Sequence, residues 1–243
     1  MALLIERLSN FGLGSLFFEE KFMDNILHLE TGILQVNTYI IVLNEKEAAV
    51  IDPGGNADEI IELLKEHNLG LRAVVLTHSH FDHIGGADGL LKAFPQCKFY
   101  AHKAEAAYLG ENLRQKQCSA FGGGGFDFYI MQSLPESVRG PDVLLEGVET
   151  LFEDSSNFKG GFNVLHTPGH SAGSICLYCA AAGLLISGDT MFADSCGRTD
   201  LTGGSEKAMK ESLKRLSTLP KATQVLPGHG GSTTIADFPF GYF

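Results

Sequence analysis

Five of the chain's nine histidines stand at turns beside carboxylates, in an order that suits metal binding. The dense group is Thr77-His78-Ser79-His80-Phe81-Asp82-His83. The others are Thr167-Pro168-Gly169-His170, Ser187-Gly188-Asp189-Thr190 and Leu226-Pro227-Gly228-His229. Imidazole nitrogens and carboxylate oxygens are ligands for zinc, iron and manganese alike. Together the four turns offer seven such groups: His78, His80, Asp82, His83, His170, Asp189 and His229. The spacing within the dense group has a geometric logic. His78 and His80 are two residues apart, so in extended chain both point to one side. They supply two-thirds of a three-histidine site, while Asp82 and His83 follow as the chain turns and can reach a second ion close by.

The elements that must hold these turns are legible as apolar runs. Ala73-Val74-Val75-Leu76 reads as a strand buried on both faces, and Ile84-Gly85-Gly86 after the dense group permits tight backbone packing at a helix start. Further strands are expected near Thr38–Leu43, Ala48–Ile51, Lys98–Ala101, Val148–Phe152, Phe162–His166, Ser174–Cys179, Leu184–Ser187 and Gln224–Leu226. Helices are expected from Asp58 to about His67, with Asn56 as cap and Ile60, Ile61 and Leu64 inward, and from the dense group to about Phe94. A third spans about Glu206 to Ser217, with Ala208, Met209, Leu213 and Leu216 inward. Short strands interleaved with helices indicate an α/β chain (α+β by some schemes) of two mixed sheets covered by helices, its ligands gathered along one edge.

Composition bounds the partners. The net charge is −11 with no block of lysine or arginine, whereas phosphate-backbone binding draws on a basic face; nucleic acid is not expected. No apolar stretch approaches the roughly 20 residues of a membrane helix. Five cysteines without a secretion signal predict a reducing, cytoplasmic setting. Cys176 and Cys179 lie in a strand-like run, where residues three apart face opposite sides, so they read as two buried small side chains.

The chain resembles the metallo-β-lactamase superfamily and, within it, the short hydroxyacylglutathione hydrolase-like (glyoxalase II-like) branch. The segments that carry the likeness are LQVNTY from Leu34, IDPGG from Ile51, THSHFDHIGG from Thr77, HTPGHSAGS from His166, SGDTMF from Ser187, GRTDL from Gly197 and LPGHG from Leu226. The resemblance implies a four-layer αββα sandwich over residues 25–243 and a binuclear site. One ion would sit on His78, His80 and His170, the other on Asp82, His83 and His229, with Asp189 bridging. Zinc is the expected metal, iron and manganese the alternatives. Two ions about 3.5–4 Å apart can share a hydroxide whose pKa falls near neutrality, a nucleophile made without serine or cysteine. Asp82 and Asp189 would orient it. The implied reaction is hydrolysis of a small thioester such as S-lactoylglutathione. The alternatives are a lactone or β-lactam hydrolase of the same fold, and a persulfide dioxygenase using a single iron on His78, His170 and Asp189. Classical glyoxalase II enzymes carry a C-terminal helical domain that grips glutathione; Phe243 follows His229 too soon for one, so glutathione itself is not implied.

Several residues keep two readings. Asp52 either orients the ligand loop from behind or forms a simple Asx-Pro-Gly turn. Arg198 either borders the substrate pocket or pairs with a structural carboxylate. Thr77 and Thr167 are expected to hold turns, His166 to be a satisfied core residue and His102 to cap or be solvated. Residues 1–24 precede the usual first strand and are rich in phenylalanine and leucine, an apolar arm for its own domain or for a second copy of the chain. Residues 109–147 are a longer connection, in which Phe121 to Tyr129 surrounds a glycine run, either a flexible aromatic lid or a structural loop.

Overall fold

A computed structural model describes residues 25–121 and 125–243. The apolar arm assigned to residues 1–24 and three glycines of the 122–125 run lie outside the described residues. The first sheet begins as an antiparallel meander of β1 (Ile26–Thr31), β2 (Val36–Val42) and β3 (Glu47–Ile51). It continues in parallel through β4 (Gly70–Val75), β5 (Lys98–His102) and β6 (Val143–Leu145), in that spatial order. Helix α1 (Ala57–Glu66) links β3 to β4. The short α2 (Phe81–Ile84) and α3 (Ala87–Ala93) link β4 to β5, and α4 (Leu113–Ala120) and α5 (Asp127–Ser133) link β5 to β6. The second sheet holds β7 (Thr150–Leu151), β8 (Phe162–His166), β9 (Ile175–Cys179), β10 (Leu184–Gly188), β11 (Gln224–Pro227) and β12 (Thr233–Thr234), arranged β12-β11-β10-β9-β8-β7. Only β10 and β11 pair in parallel there, joined through α6 (Glu206–Leu216).

Period-two alternation divides these strands among three apolar layers. Ile40, Val50, Val74 and Phe99 face outward from the first sheet onto the helices α1 to α5. Ile41, Ala49, Val75, Leu177, Ile186 and Leu226 face inward, between the sheets. Cys176, Leu185 and Val225 face outward from the second sheet onto Met209, Leu213 and Leu216 of α6. This is the four-layer αββα sandwich, and it explains why the strand sequences are continuous apolar runs: both faces are covered. Cys176 and Cys179 fall in different layers, as their spacing requires, and both are free thiols.

Four local expectations are corrected. Asn56 does not cap α1. It sits in left-handed backbone (φ 50) with no side-chain cap bond, and its amide donates instead to Glu59 at 2.9 Å; an N-cap side chain reaches the first-turn N–H groups from extended backbone. The helix expected up to Phe94 is two short ones, because the chain bends at Gly85-Gly86 to pack on the DPGG turn. A Cβ at Gly85 would strike the Gly54 carbonyl, and the Gly86 N–H donates to the Pro53 carbonyl at 2.8 Å. The strand expected over Val148–Phe152 shrinks to β7. Residues 109–147 carry α4, α5 and the edge strand β6 rather than an irregular loop. No described helix is long and apolar enough to cross a membrane.

Phe162 is among the largest fully buried side chains and lies between the sheets. Phe162→Ala is expected to cost about 3–5 kcal/mol, read as a lowered urea midpoint at unchanged slope. A loss below about 1 kcal/mol would contradict the layer assignment.

Candidate metal centre

Four strands of the sandwich deliver the candidate ligands at one edge. His78 and His80 follow β4, His170 follows β8, Asp189 follows β10 and His229 follows β11. His80 keeps extended backbone (φ −64, ψ 148) just before α2, whose first turn carries Asp82 and His83. The two sheets are tied together here: the Ile175 N–H donates to the Thr77 carbonyl at 2.9 Å and the Asn37 N–H to the Gly228 carbonyl at 2.8 Å. All seven side chains converge. His78, His80 and His170 present nitrogens within 4.8 Å of one another, and so do the donor atoms of Asp82, His83 and His229. Asp189 lies between the two groups, with Oδ2 3.6 Å from His170 Nε2 and 3.7 Å from His229 Nε2, and Oδ1 3.4 Å from His83 Nε2.

Six of the seven donors are buried, and His229 is half-buried. His78 Nε2, His83 Nε2, His170 Nε2 and Asp189 Oδ1 have no hydrogen-bond partner, although buried polar atoms are ordinarily paired. Tautomers follow from what lies behind each ring. His170 Nδ1 faces the Arg198 carbonyl at 2.8 Å, which can only accept, so the proton is on Nδ1 and Nε2 keeps its lone pair. His83 Nδ1 donates to Asp52 Oδ2 at 3.0 Å, which leaves Nε2 as the nitrogen turned to the cluster. Thr77 Oγ1 donates to Asp52 Oδ2 at 2.6 Å and thus accepts from His78 Nδ1 at 3.1 Å. A further trio, Asp52 with His78 and His83, also lies within ligand range. Asp52, however, already accepts from the Thr77 N–H at 2.7 Å, the Thr77 hydroxyl and His83. It orients ligands rather than adding one. Its backbone is left-handed (φ 49) at the corner of the DPGG turn, but the Gly54 N–H donates to Thr38 Oγ1 at 3.3 Å and not to Asp52, so the side chain forms no Asx turn.

Protonation fits a cation site. Burial, then the neighbouring imidazoles, pushes His78 far below the usual histidine range, and burial followed by His170 takes His80 down to about 3. Both are therefore neutral, the ligand form of imidazole. Burial would raise Asp82 and Asp189, but His83 foremost holds both below the ordinary carboxylate range. Burial opposes charge on His83 and His229 as well. The carboxylates of Asp189 and Asp82 overcome it and raise both rings. In the ion-free protein these protons balance the two carboxylates, and a bound cation would displace them. Orphaned lone pairs, neutral rings and ionised carboxylates together fit divalent metal ions.

The Metallo-beta-lactamase superfamily model matches residues 31–229. The chain belongs to that superfamily. Among curated relatives, the "Probable metallo-hydrolase YqgX" of Bacillus subtilis is 34% identical over 210 residues, spanning 85% of this chain and 90% of that protein. The "Hydroxyacylglutathione hydrolase GloC" of Haemophilus influenzae is 32% identical over 214 residues, spanning 87% and 93%. Among solved structures, BLEG-1 B3 metallo-beta-lactamase superposes with TM-score 0.74 at 35% identity, covering 87% of this chain and 95% of that one. TTHA1623 in a di-iron-bound form superposes with TM-score 0.73 at 34% identity, covering 88% and 99%.

On this superfamily site opens a cleft of about 210 Å³. Its walls are apolar (Leu34, Phe81, Phe121, Phe126, Phe192 and Leu201), and its floor carries His80, Asp82, His170 and Asp189. Arg198 lines the mouth and also forks onto Asp200, with Nε–Oδ1 and Nη2–Oδ2 both 2.7 Å. It thus borders the cleft and makes an ion pair, though the pair is exposed rather than structural. Phe121, just past α4, packs edge-to-face against His80 with ring centroids 4.9 Å apart, and Phe126 packs on Phe121 with centroids 5.3 Å apart. Two of the aromatics around the glycine run therefore wall the cleft.

His102 keeps a local capping bond but is not solvated, and His166 is satisfied but only half-buried. His102 is buried and stacked 4.2 Å from His166, and its Nδ1 accepts the Ala104 N–H at 3.2 Å. His166 is half-buried and bonds the Ala172 carbonyl at 2.9 Å. Neither joins the ligand cluster. Two residues beside the site carried no assignment from sequence. Asn37, within the LQVNTY segment, donates to the Pro227 carbonyl at 2.9 Å and the Gly230 carbonyl at 2.8 Å, clasping the turn that carries His229. Glu105, in an ordinary-looking KAEAA stretch, is 1% exposed and bonds the loops of His80 and His170.

Asp52→Asn tests the orienting role. In either amide orientation its NH2 faces a group that now donates to Asp52. The expected result is a roughly 10–100-fold loss of metal affinity in competition with a chromogenic chelator; unchanged affinity would contradict it.

Proposed function

We propose that this chain is a two-metal hydrolase of a small thioester, with Zn²⁺ as the expected ion and iron or manganese as alternatives. His78, His80 and His170 would hold one ion, Asp82, His83 and His229 the other, with Asp189 between them. The observation that carries this is the convergence of all seven donors at one edge of the sandwich, four of them with a buried atom that lacks a hydrogen-bond partner. Divalent ions at such positions supply an acidified water and a Lewis acid for the carbonyl. The chain's own residues do the rest. Asp82 and Asp189, both kept ionised, would orient the attacking water toward the cleft by accepting its hydrogen bonds, and the one proton it gives up leaves with the departing thiolate as thiol. The aromatic walls exclude bulk water and take an apolar acyl group. Arg198 is the only lysine or arginine among the described lining residues and is already committed to Asp200, which favours an uncharged acyl group with the thiol arm toward solvent.

Likeness to GloC supports the thioester, and likeness to the di-iron form of TTHA1623 supports iron as an acceptable metal. The single-iron alternative on His78, His170 and Asp189 leaves His80, Asp82, His83 and His229 gathered without purpose, so it is the weaker reading. A β-lactam or lactone ring remains the second reading, since BLEG-1 has a comparable fold and identity.

Purified protein assayed with S-lactoylglutathione should release thiol, and a chelator should abolish the release. Asp189→Asn should lower kcat/KM by more than the roughly 10–100-fold typical of residues behind the ligands. β-Lactam opening far faster than thiol release would replace the thioester. Oxygen uptake with glutathione persulfide would move the chain to the dioxygenase class.

A further inference from the structure

The two metal positions rest on different buried side chains, and one of these acts on one position alone. Because His78 and His80 share a side of the extended loop, the residue between them points the other way. That residue is Ser79, and Glu105 waits behind it. Glu105 Oε2 accepts from the Ser79 N–H at 2.9 Å and from the Ser79 hydroxyl. Glu105 Oε1 accepts from the Ser171 hydroxyl at 2.7 Å and the Gly173 N–H at 2.8 Å, in the loop just after His170. All four donors come from two loops distant in sequence, no lysine or arginine takes part, and the carboxylate is 1% exposed. Gln117 of α4 holds the same loop from its other side, donating to the Ser79 carbonyl at 2.7 Å. None of Glu105's bonds reaches the Asp82–His83 turn or the His229 loop. Those are held by Asp52, which also touches the first group through Thr77, and by Asn37, whose amide NH2 donates to the Pro227 and Gly230 carbonyls around His229 while its Oδ1 meets His28 Nε2 at 2.7 Å.

We propose that Glu105 is a positioning residue that sets the affinity of the His78–His80–His170 position separately from that of the Asp82–His83–His229 position. The inference rests on the two-metal reading of the site. It makes the two affinities independently adjustable: Glu105 tunes one and Asn37 the other, although both ions share Asp189.

Glu105→Gln preserves shape while replacing one oxygen by NH2. In either orientation that NH2 faces a backbone N–H, of Ser79 or Gly173, and neither can accept. One loop is released and the other kept. The test uses full-length protein, stripped by chelator and titrated with Zn²⁺ or Co²⁺ by calorimetry. Circular dichroism melting of the ion-free form reports the fold, and the Co²⁺ absorption spectrum reports which position fills. Wild type is expected to show two binding events. Glu105→Gln should weaken one of them by roughly 10–100-fold and leave the other, with its spectrum, unchanged. Asn37→Ala should weaken the other event. Ser171→Ala, which removes a single bond to Glu105, should reproduce the Glu105→Gln pattern at smaller size, and carries the test if Glu105→Gln fails to fold. Two wild-type events that Glu105→Gln weakens equally, or not at all, would overturn the inference alone. A single wild-type event would overturn the two-metal reading beneath it.

Discussion

Three imidazole nitrogens and a carboxylate oxygen are buried against one another here with nothing to bond. Each such atom costs about 1–3 kcal/mol when left unsatisfied inside a protein, and the fold keeps all of them in one place. That constraint organises the edge of the sandwich. These nitrogens cannot be turned away, because the far side of each ring is taken: His170 by the Arg198 carbonyl, His83 by Asp52, and His78 by Thr77, itself bound to Asp52. The unsatisfied atoms thus mark a site shaped for a cation, not a defect of packing.

The apolar layers make this arrangement possible without taking part in it. Strands covered on both faces must end at the sheet's rim, and their C-terminal turns are where polar chain can emerge. The candidate ligands sit within a few residues of those ends or in the first turn of α2, so their placement follows largely from where the strands stop. Bonds between the two sheets at Thr77 and Asn37 fix the halves against each other. Burial then does electrostatic work. It keeps His78 and His80 neutral, while the carboxylates are kept ionised by His83 between them. The site is prepared for metal before any metal arrives.

Much of the centre was legible because its signals are local. Two histidines at period two, an aspartate and a histidine at the next turn, and apolar strands ahead of each ligand can all be read without a fold. What escaped depends on long-range partners. Glu105 is bound by residues 26 to 68 positions away, and no neighbour in its own helical-looking stretch hints at it. Asn37 reaches across to a turn 190 residues on. Asn56 was misjudged for another reason: its residue type suits a cap, but contact with the β1–β2 turn selects left-handed backbone. The burial of His102 is not legible in the sequence because its stacking partner, His166, belongs to the other sheet. β6 is three residues long and has meaning only as an edge for β5.

Anomalous diffraction from crystals of the metal-loaded protein, collected at the absorption edges of the bound metals, addresses the central claim most directly. Two peaks are predicted, one within the His78–His80–His170 group and one within the Asp82–His83–His229 group, with Asp189 touching both. A lone peak, or peaks outside these groups, would contradict the account.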